Sequence, residues 1–254
     1  MKKIIKYLFL LTGGSFILAS CNDFLDREPL DSVTPDNFFF TENDLAAYAV
    51  KHYNFTTHEG FNAGIWKNDN ATDNQAATDY DKKWIPGQWK VPEAYDNPAS
   101  NDPWYFSAIR EANYFLETVV PRFEKGEIEG SETNIKHYIG EMYFLRAKNY
   151  LSKLETFGDF PIIKNTLPDE SASLIQASKR EPRHKVARFI LEDLDLAIGL
   201  LTNTISGGKN RITQNAALLL KSRAALYEAS WLTYHRGTAL VPGGSAVSYT
   251  HLRA

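Results

Sequence analysis

Cysteine is almost absent from this 254-residue chain, where Cys21 stands alone. One thiol excludes an intrachain disulfide and any multi-cysteine metal site. An excess of positive charge is missing too: 28 Lys and Arg face 31 Asp and Glu, for a net charge of −3. Nucleic-acid binding wants a basic face, so no nucleic-acid partner is expected. Apolar residues make up 43% of the chain, too few for a multi-span membrane protein and too many for a disordered one. Catalytic signatures are also missing, with no Gly-x-Ser-x-Gly, His-Glu-x-x-His, Gly-x-x-x-x-Gly-Lys-Ser/Thr or Gly-x-Gly-x-x-Gly. The six histidines lack ligand spacing, and His137 and His184 are expected on helix surfaces. Nothing marks a glycosidase pair among the 31 acids, and no catalytic residue is expected.

What is present begins at the amino terminus. Lys2, Lys3 and Lys6 form a positive start, Tyr7 to Leu11 and Phe16 to Ala19 are apolar, and Leu18-Ala19-Ser20-Cys21 closes the segment. Residues 1–20 therefore read as a secretory leader, too short and interrupted to span a membrane stably. The Leu-Ala-Ser-Cys ending resembles the bacterial lipobox, which makes Cys21 an expected lipidation site bearing diacylglycerol and palmitate-type chains. The alternative is an ordinary signal peptide with a chance cysteine. Loss of the leader removes three lysines and no acid, which takes the net charge to −6.

Beyond an extended stretch with Pro29 and Pro35, helical signals follow one another. Thr41 with Asp44 three residues on is a capping-box start. Asp102-Pro103 reads as the next helix start, with an apolar face from Trp104 through Ile109, Asn113 and Leu116 that ends at Pro121. Ser131 opens a third helix that stops at Gly158. Residues 159–182, with Pro161, Pro168 and Pro182, form a connector. A fourth helix carries Val186 to Leu200 up to Gly207-Gly208, and a fifth runs from about Thr213 to Leu232. The third and fifth repeat each other: Gly140, Arg146, Ala147 and Tyr150 lie 77 residues before Ala217, Arg223, Ala224 and Tyr227. Small residues seven apart let a neighbouring helix approach closely, as in tetratricopeptide-like packing. The fold expected is all-α, a tetratricopeptide-like helical repeat scaffold with long irregular loop insertions. Arg146 and Arg223 are expected to be buried or half-buried structural residues with acidic or carbonyl partners, Glu141 being either such a partner or a favourable charge near the start of its helix. Trp104 and Trp231 are expected in the core.

Residues 57–102 stand apart. They have no sustained period but hold Trp66, Tyr80, Trp84 and Trp89 beside Asn70, Asp73 and other amides and carboxylates. Disordered segments are poor in aromatics, and long irregular loops are usually functional. A sugar presents an apolar C–H face and a hydroxyl rim, so flat rings with polar neighbours suit it. Trp66, Tyr80, Trp84, Trp89, Asn70 and Asp73 are the candidate ligand-binding residues, against the alternative that the rings pack the loop onto the scaffold. Asp69-Asn70-x2-Asp73-Asn74 offers oxygen ligands of the kind Ca2+ takes, but lacks the Gly and distal Glu of an EF-hand loop. No cofactor or metal is expected beyond that weak Ca2+ candidate.

Several segments together resemble the SusD/RagB family of outer-membrane nutrient-binding lipoproteins of Bacteroidetes. They are Cys21-Asn22-Asp23-Phe24-Leu25-Asp26, Phe39-x-Thr41-Glu42 and Trp104-x3-Ala108-Ile109-x3-Asn113. Gly140-Glu141-Met142-Tyr143-Phe144-Leu145-Arg146-Ala147-x2-Tyr150, running on to Phe157-Gly158-Asp159-Phe160-Pro161, is the most specific. The segments from Asp193-Leu194 to Ala216-Ala217 extend the likeness. The resemblance covers residues 21–239. It implies a surface-exposed, lipid-anchored protein of the outer membrane that captures oligosaccharide or polysaccharide for a SusC-type TonB-dependent transporter. A peptide-binding or structural tetratricopeptide adaptor of the same transporter class is the alternative, and a surface glycan hydrolase a more distant one. Members are usually about twice this long. Residues 240–254, from Gly243-Gly244 to Ala254, continue nothing in the family and are expected to be a non-native tail of a truncated chain.

Overall fold

The computed structural model describes residues 38–53, 55, 85, 104–204, 210–238 and 240–241. Helix α1 (Glu42–Lys51) starts as its sequence predicts: Thr41 Oγ1 accepts from the Asp44 amide at 3.3 Å, and Asp44 Oδ2 accepts from the Thr41 amide at 3.0 Å. Phe39 just before it takes a left-handed φ of 71° and is fully buried. Such a backbone is costly for a bulky residue. Packing offsets the cost, because the Phe39 ring meets Tyr48 at 5.0 Å and Phe115 at 5.3 Å.

Helix α2 (Ser107–Glu124) begins later than the Asp102-Pro103 signal suggested. Trp104 and Phe106 instead turn their rings onto Phe157 and Phe160, at 3.9 and 5.1 Å between centroids. Aromatic burial there outweighs an early helix start. Nor does α2 stop at Pro121, which sits inside its last turn; a proline so near the end removes only one helical bond. Helix α3 (Glu132–Phe157) has Ser131 at its N-cap, but the Ser131 hydroxyl makes no cap bond. Its amide donates to Glu42 Oε2 at 2.7 Å, and Asn134 Nδ2 donates to the same oxygen. A carboxylate from α1 thus neutralises the positive end of α3. Gly158, with φ 73°, terminates it.

The connector contains a helix the sequence did not signal, α4 (Ser171–Ala177), none of whose residues is buried. Helix α5 (Arg183–Leu200) ends well before Gly207-Gly208, a pair outside the described residues. Helix α6 (Gln214–Tyr234) starts at Thr213, whose hydroxyl accepts from the Ala216 amide at 3.2 Å. Among the described residues there are isolated β-bridges and no strand. From Phe39 on they form one compact unit, in which α3 packs on α2 and α5, α5 on α6, and α1 on α3. The fold is all-α, with helix pairs α2–α3 and α5–α6 stacked through α3 and α5 in the tetratricopeptide manner.

Small residues make that stack possible. Ala147 and Ala217 are fully buried, and a Cβ on Gly140 would lie 3.0 Å from Leu201 Cγ. Buried ion pairs then tie the pairs together. Arg146 donates Nε and Nη2 to the two Asp193 oxygens at 2.7 Å each, and Nη1 to Asn113 Oδ1 at 2.9 Å. Its repeat counterpart Arg223 is exposed, contrary to expectation. Glu141 does not serve Arg146: it accepts from Arg211 Nε at 2.9 Å and lies 3.2 Å from His137 Nε2. His137 is therefore fully buried rather than on a helix surface, its Nδ1 accepting from the Thr202 amide at 3.2 Å. His184 is exposed as expected. Arg183 reaches Glu228 Oε2 at 2.6 Å.

Candidate functional site

Trp66, Asn70, Asp73, Tyr80, Trp84 and Trp89, like the lipidation candidate Cys21, lie outside the described residues. The described residues do fix the two flanks of the 57–102 segment. Its entry follows α1 and its exit leads into α2, and these helices are clamped together. Tyr48 OH donates to the Glu111 carbonyl at 3.1 Å, and His52 Nδ1 sits 3.1 Å from Glu111 Oε2. The contacts of Tyr48 and His52 thus join the end of α1 to the amino-terminal half of α2.

That half of α2 is bordered by concavities. An open one of about 550 Å3 is lined by Tyr48, Tyr105, Phe106, Ser107, Arg110, Glu111 and Tyr114. Rings supply flat apolar faces, while Arg110, Glu111 and Ser107 supply donors and acceptors at its edge. Tyr105 is 38% exposed, so its ring is available to a ligand. Tyr48 is fixed more deeply: burial, and after it the Glu111 carboxylate, push its phenol well above the usual range, so it stays a neutral donor.

A smaller polar concavity of about 210 Å3 shares Glu111 with the first and adds Lys51, His52, Lys148 and Asn149. Burial holds the His52 imidazole below its ordinary 6.5 despite the opposing Glu111 charge. Burial likewise lowers Lys148, whose ammonium lies 5.1 Å from the Phe55 ring. On the other side of Phe106 and Arg110 is an apolar chamber of about 350 Å3 that includes Trp104. Trp104 is thus half-buried at a chamber wall rather than in the core, with Arg180 4.8 Å above its ring. Trp231 is also half-buried, stacked under Arg183 at 4.0 Å.

Glu111 is the only carboxylate among the described residues lining these two concavities. Glu141, Asp193 and Glu228 are buried and each held by an arginine. Asp193 and Asp195 face opposite ways, one buried and one exposed, as their spacing requires. Among the described residues no group of three or more His, Cys, Asp or Glu is placed to hold a metal ion, and no helix is long and apolar enough to cross a membrane.

The sequence missed Tyr105, Tyr114 and Arg110, which the second-helix pattern presents as ordinary surface positions. Their proximity to α1 comes only from the Tyr48 and His52 contacts.

Known proteins resemble this chain in sequence and fold. SusD-like protein P2 of Formosa agariphila is 26% identical over 219 residues, 84% of this chain and 40% of that protein. SusD-like protein P25 of the same organism is 23% identical over 243 residues, 91% of this chain and 44% of that protein. The chain therefore spans about two-fifths of the length of the curated relatives it matches. A SusD-like protein from Bacteroides fragilis superposes with a TM-score of 0.54 at 22% identity, over 86% of this chain and 41% of its own. A SusD-like carbohydrate-binding protein from the same species gives 0.54 at 20% identity, over 76% and 39%. At such identity the likeness speaks for the fold. The sequence profile of one family matches residues 23–226, most of the chain, and the chain thereby belongs to the SusD-like family, described as starch-binding and associating with the outer membrane.

Proposed function

We propose that this chain captures oligosaccharide at the cell surface, held to the outer membrane through an acylated Cys21, and passes it to a SusC-type TonB-dependent transporter without making or breaking a bond. The observation that carries the reading is the open concavity on α2, where Tyr105, Phe106 and Tyr114 stand beside Arg110, Glu111 and Ser107. Membership of a family described as starch-binding supports it. So does the sequence of the segment between α1 and α2, where Trp66, Trp84 and Trp89 stand among amides and carboxylates. Stacking on rings is tolerant of sequence and linkage, and the polar edge then selects among hydroxyl patterns. A lipid tether raises the effective concentration of the binder at its transporter.

Calorimetric titration with starch oligosaccharides and a panel of other polysaccharides tests the reading. Saturable binding without new reducing ends is the expected result. Tyr105→Ala and Trp84→Ala should each weaken it by about 1–3 kcal/mol, by analogy with base–aromatic stacking. No saturable binding to any glycan, or release of new reducing ends, would overturn the proposal. The anchor has its own readout, because Cys21→Ala should move the protein out of the membrane fraction.

A further inference from the structure

The apolar chamber beside Trp104 has the wrong chemistry for a glycan. Its walls come from the start of α2 (Phe106 and Ile109), the connector (Pro161, Ile163 and Leu167) and Leu174 of α4. Sugar hydroxyls placed there would lose water and gain little in return. The polar groups at its edge are mostly committed. Asn113 donates Nδ2 to the carbonyls of Ile163 and Asn165, at 2.9 and 3.3 Å, and accepts from Arg146 through Oδ1. Ser178 Oγ donates into the last turn of α4, 2.6 Å from the Leu174 carbonyl.

Arg110 is different. It lines the chamber, is exposed, and its side chain makes no ion pair or hydrogen bond among the described residues. The carboxylate that follows it in sequence, Glu111, is engaged by His52 at 3.1 Å. Glu117, two turns beyond Arg110, is taken by the amide and hydroxyl of Thr166, at 2.9 and 2.7 Å. A second guanidinium, Arg180, stands over the Trp104 ring at 4.8 Å. An apolar chamber with an uncommitted guanidinium at its rim matches one ligand class: a compact apolar body carrying one carboxylate, which a guanidinium can hold in bidentate fashion.

We propose that this chamber is a second binding site, adjoining the glycan concavity and sharing Phe106 and Arg110 with it, for a small apolar carboxylate such as an aromatic or medium-chain acid. A volume of about 350 Å3 falls at the small end of ligand pockets, room for about ten to fifteen heavy atoms. Access lies along α4. No residue of that helix is buried, and the strap that carries it is pinned by the paired backbone bonds between Phe160 and Glu181, at 3.1 and 3.2 Å.

Titration with 1-naphthylacetate and its neutral isostere 1-naphthylacetamide tests the proposal. The acid should bind about 10-fold tighter than the amide, the margin of one charge-assisted bidentate contact. Arg110→Gln should bring the acid down to the amide and leave the amide unchanged. Leu174→Trp, at a side chain already 42% exposed, should fill the chamber and remove both, with unchanged far-UV circular dichroism showing that each variant folds. Equal binding of acid and amide, undiminished acid binding in Arg110→Gln, or no binding of either would overturn the site. The readout uses no glycan, so its failure leaves the carbohydrate reading standing.

Discussion

Arg146 shows how much one residue can hold. Its guanidinium spans three helices, bonded to Asp193 of α5 through two nitrogens and to Asn113 of α2 through the third. Asp193 is 2% exposed, and burial above all drives its carboxyl upward while Arg146 opposes that shift. Removing the arginine leaves an uncompensated buried carboxylate, a loss of about 3–5 kcal/mol. Urea denaturation of Arg146→Met should show that loss, and Arg146→Met with Asp193→Leu should recover much of it; a single variant as stable as the parent would contradict this account. In the sequence, Arg146 and Arg223 occupy matching repeat positions and cannot be told apart. Burial separates them, because Arg146 has helices on both sides and Arg223 faces water. His137 departs from its expected place on a helix surface for the same reason: its burial follows from the approach of Thr202 and Arg211, residues more than sixty positions away.

At the scale of the element, local chemistry was readable where the determinant is local. The Thr41–Asp44 box, the Thr213 cap and the Gly158 stop all stand where the sequence places them. The start of α2 did not follow its Asp-Pro signal, because Trp104 and Phe106 gain more by stacking on Phe157 and Phe160. Helix α4 has no buried face and hence no periodic apolar signature to read. The two helical glycines Gly140 and Gly199 make a contrasting pair. A methyl on Gly140 meets Leu201 Cγ at 3.0 Å and the Leu201 amide nitrogen at 3.2 Å, whereas one on Gly199 meets nothing within 4 Å. Overpacking costs about 1–3 kcal/mol, and alanine regains about 1 kcal/mol of helix propensity. Gly140→Ala should therefore lower stability by about 1 kcal/mol net and Gly199→Ala should raise it by about 0.5–1 kcal/mol. Opposite shifts of the denaturant midpoint check this; shifts of the same sign would not fit.

For the whole molecule, the stack has an inner side and an outer one. Helix α6 buries Ala217, Ala224, Ala225 and Leu232 and turns Leu219 and Leu226 outward, 73% and 69% exposed. Leu219→Lys and Leu226→Lys should each change stability by about 0.5 kcal/mol or less in urea titration; a large loss would mean that this face is covered. The sequence by itself determined the helical class, the repeat of small residues that permits close stacking, and the segments that mark the family. Those features depend on neighbours one to a few turns apart, a range over which spacing and side-chain size are sufficient. Only the tertiary structure decided which arginine is buried, which carboxylate it meets, and that Tyr105, Tyr114 and Arg110 border concavities at the α1–α2 junction. Each of those outcomes depends on residues distant in the chain meeting in space, and on water being excluded or admitted when they do.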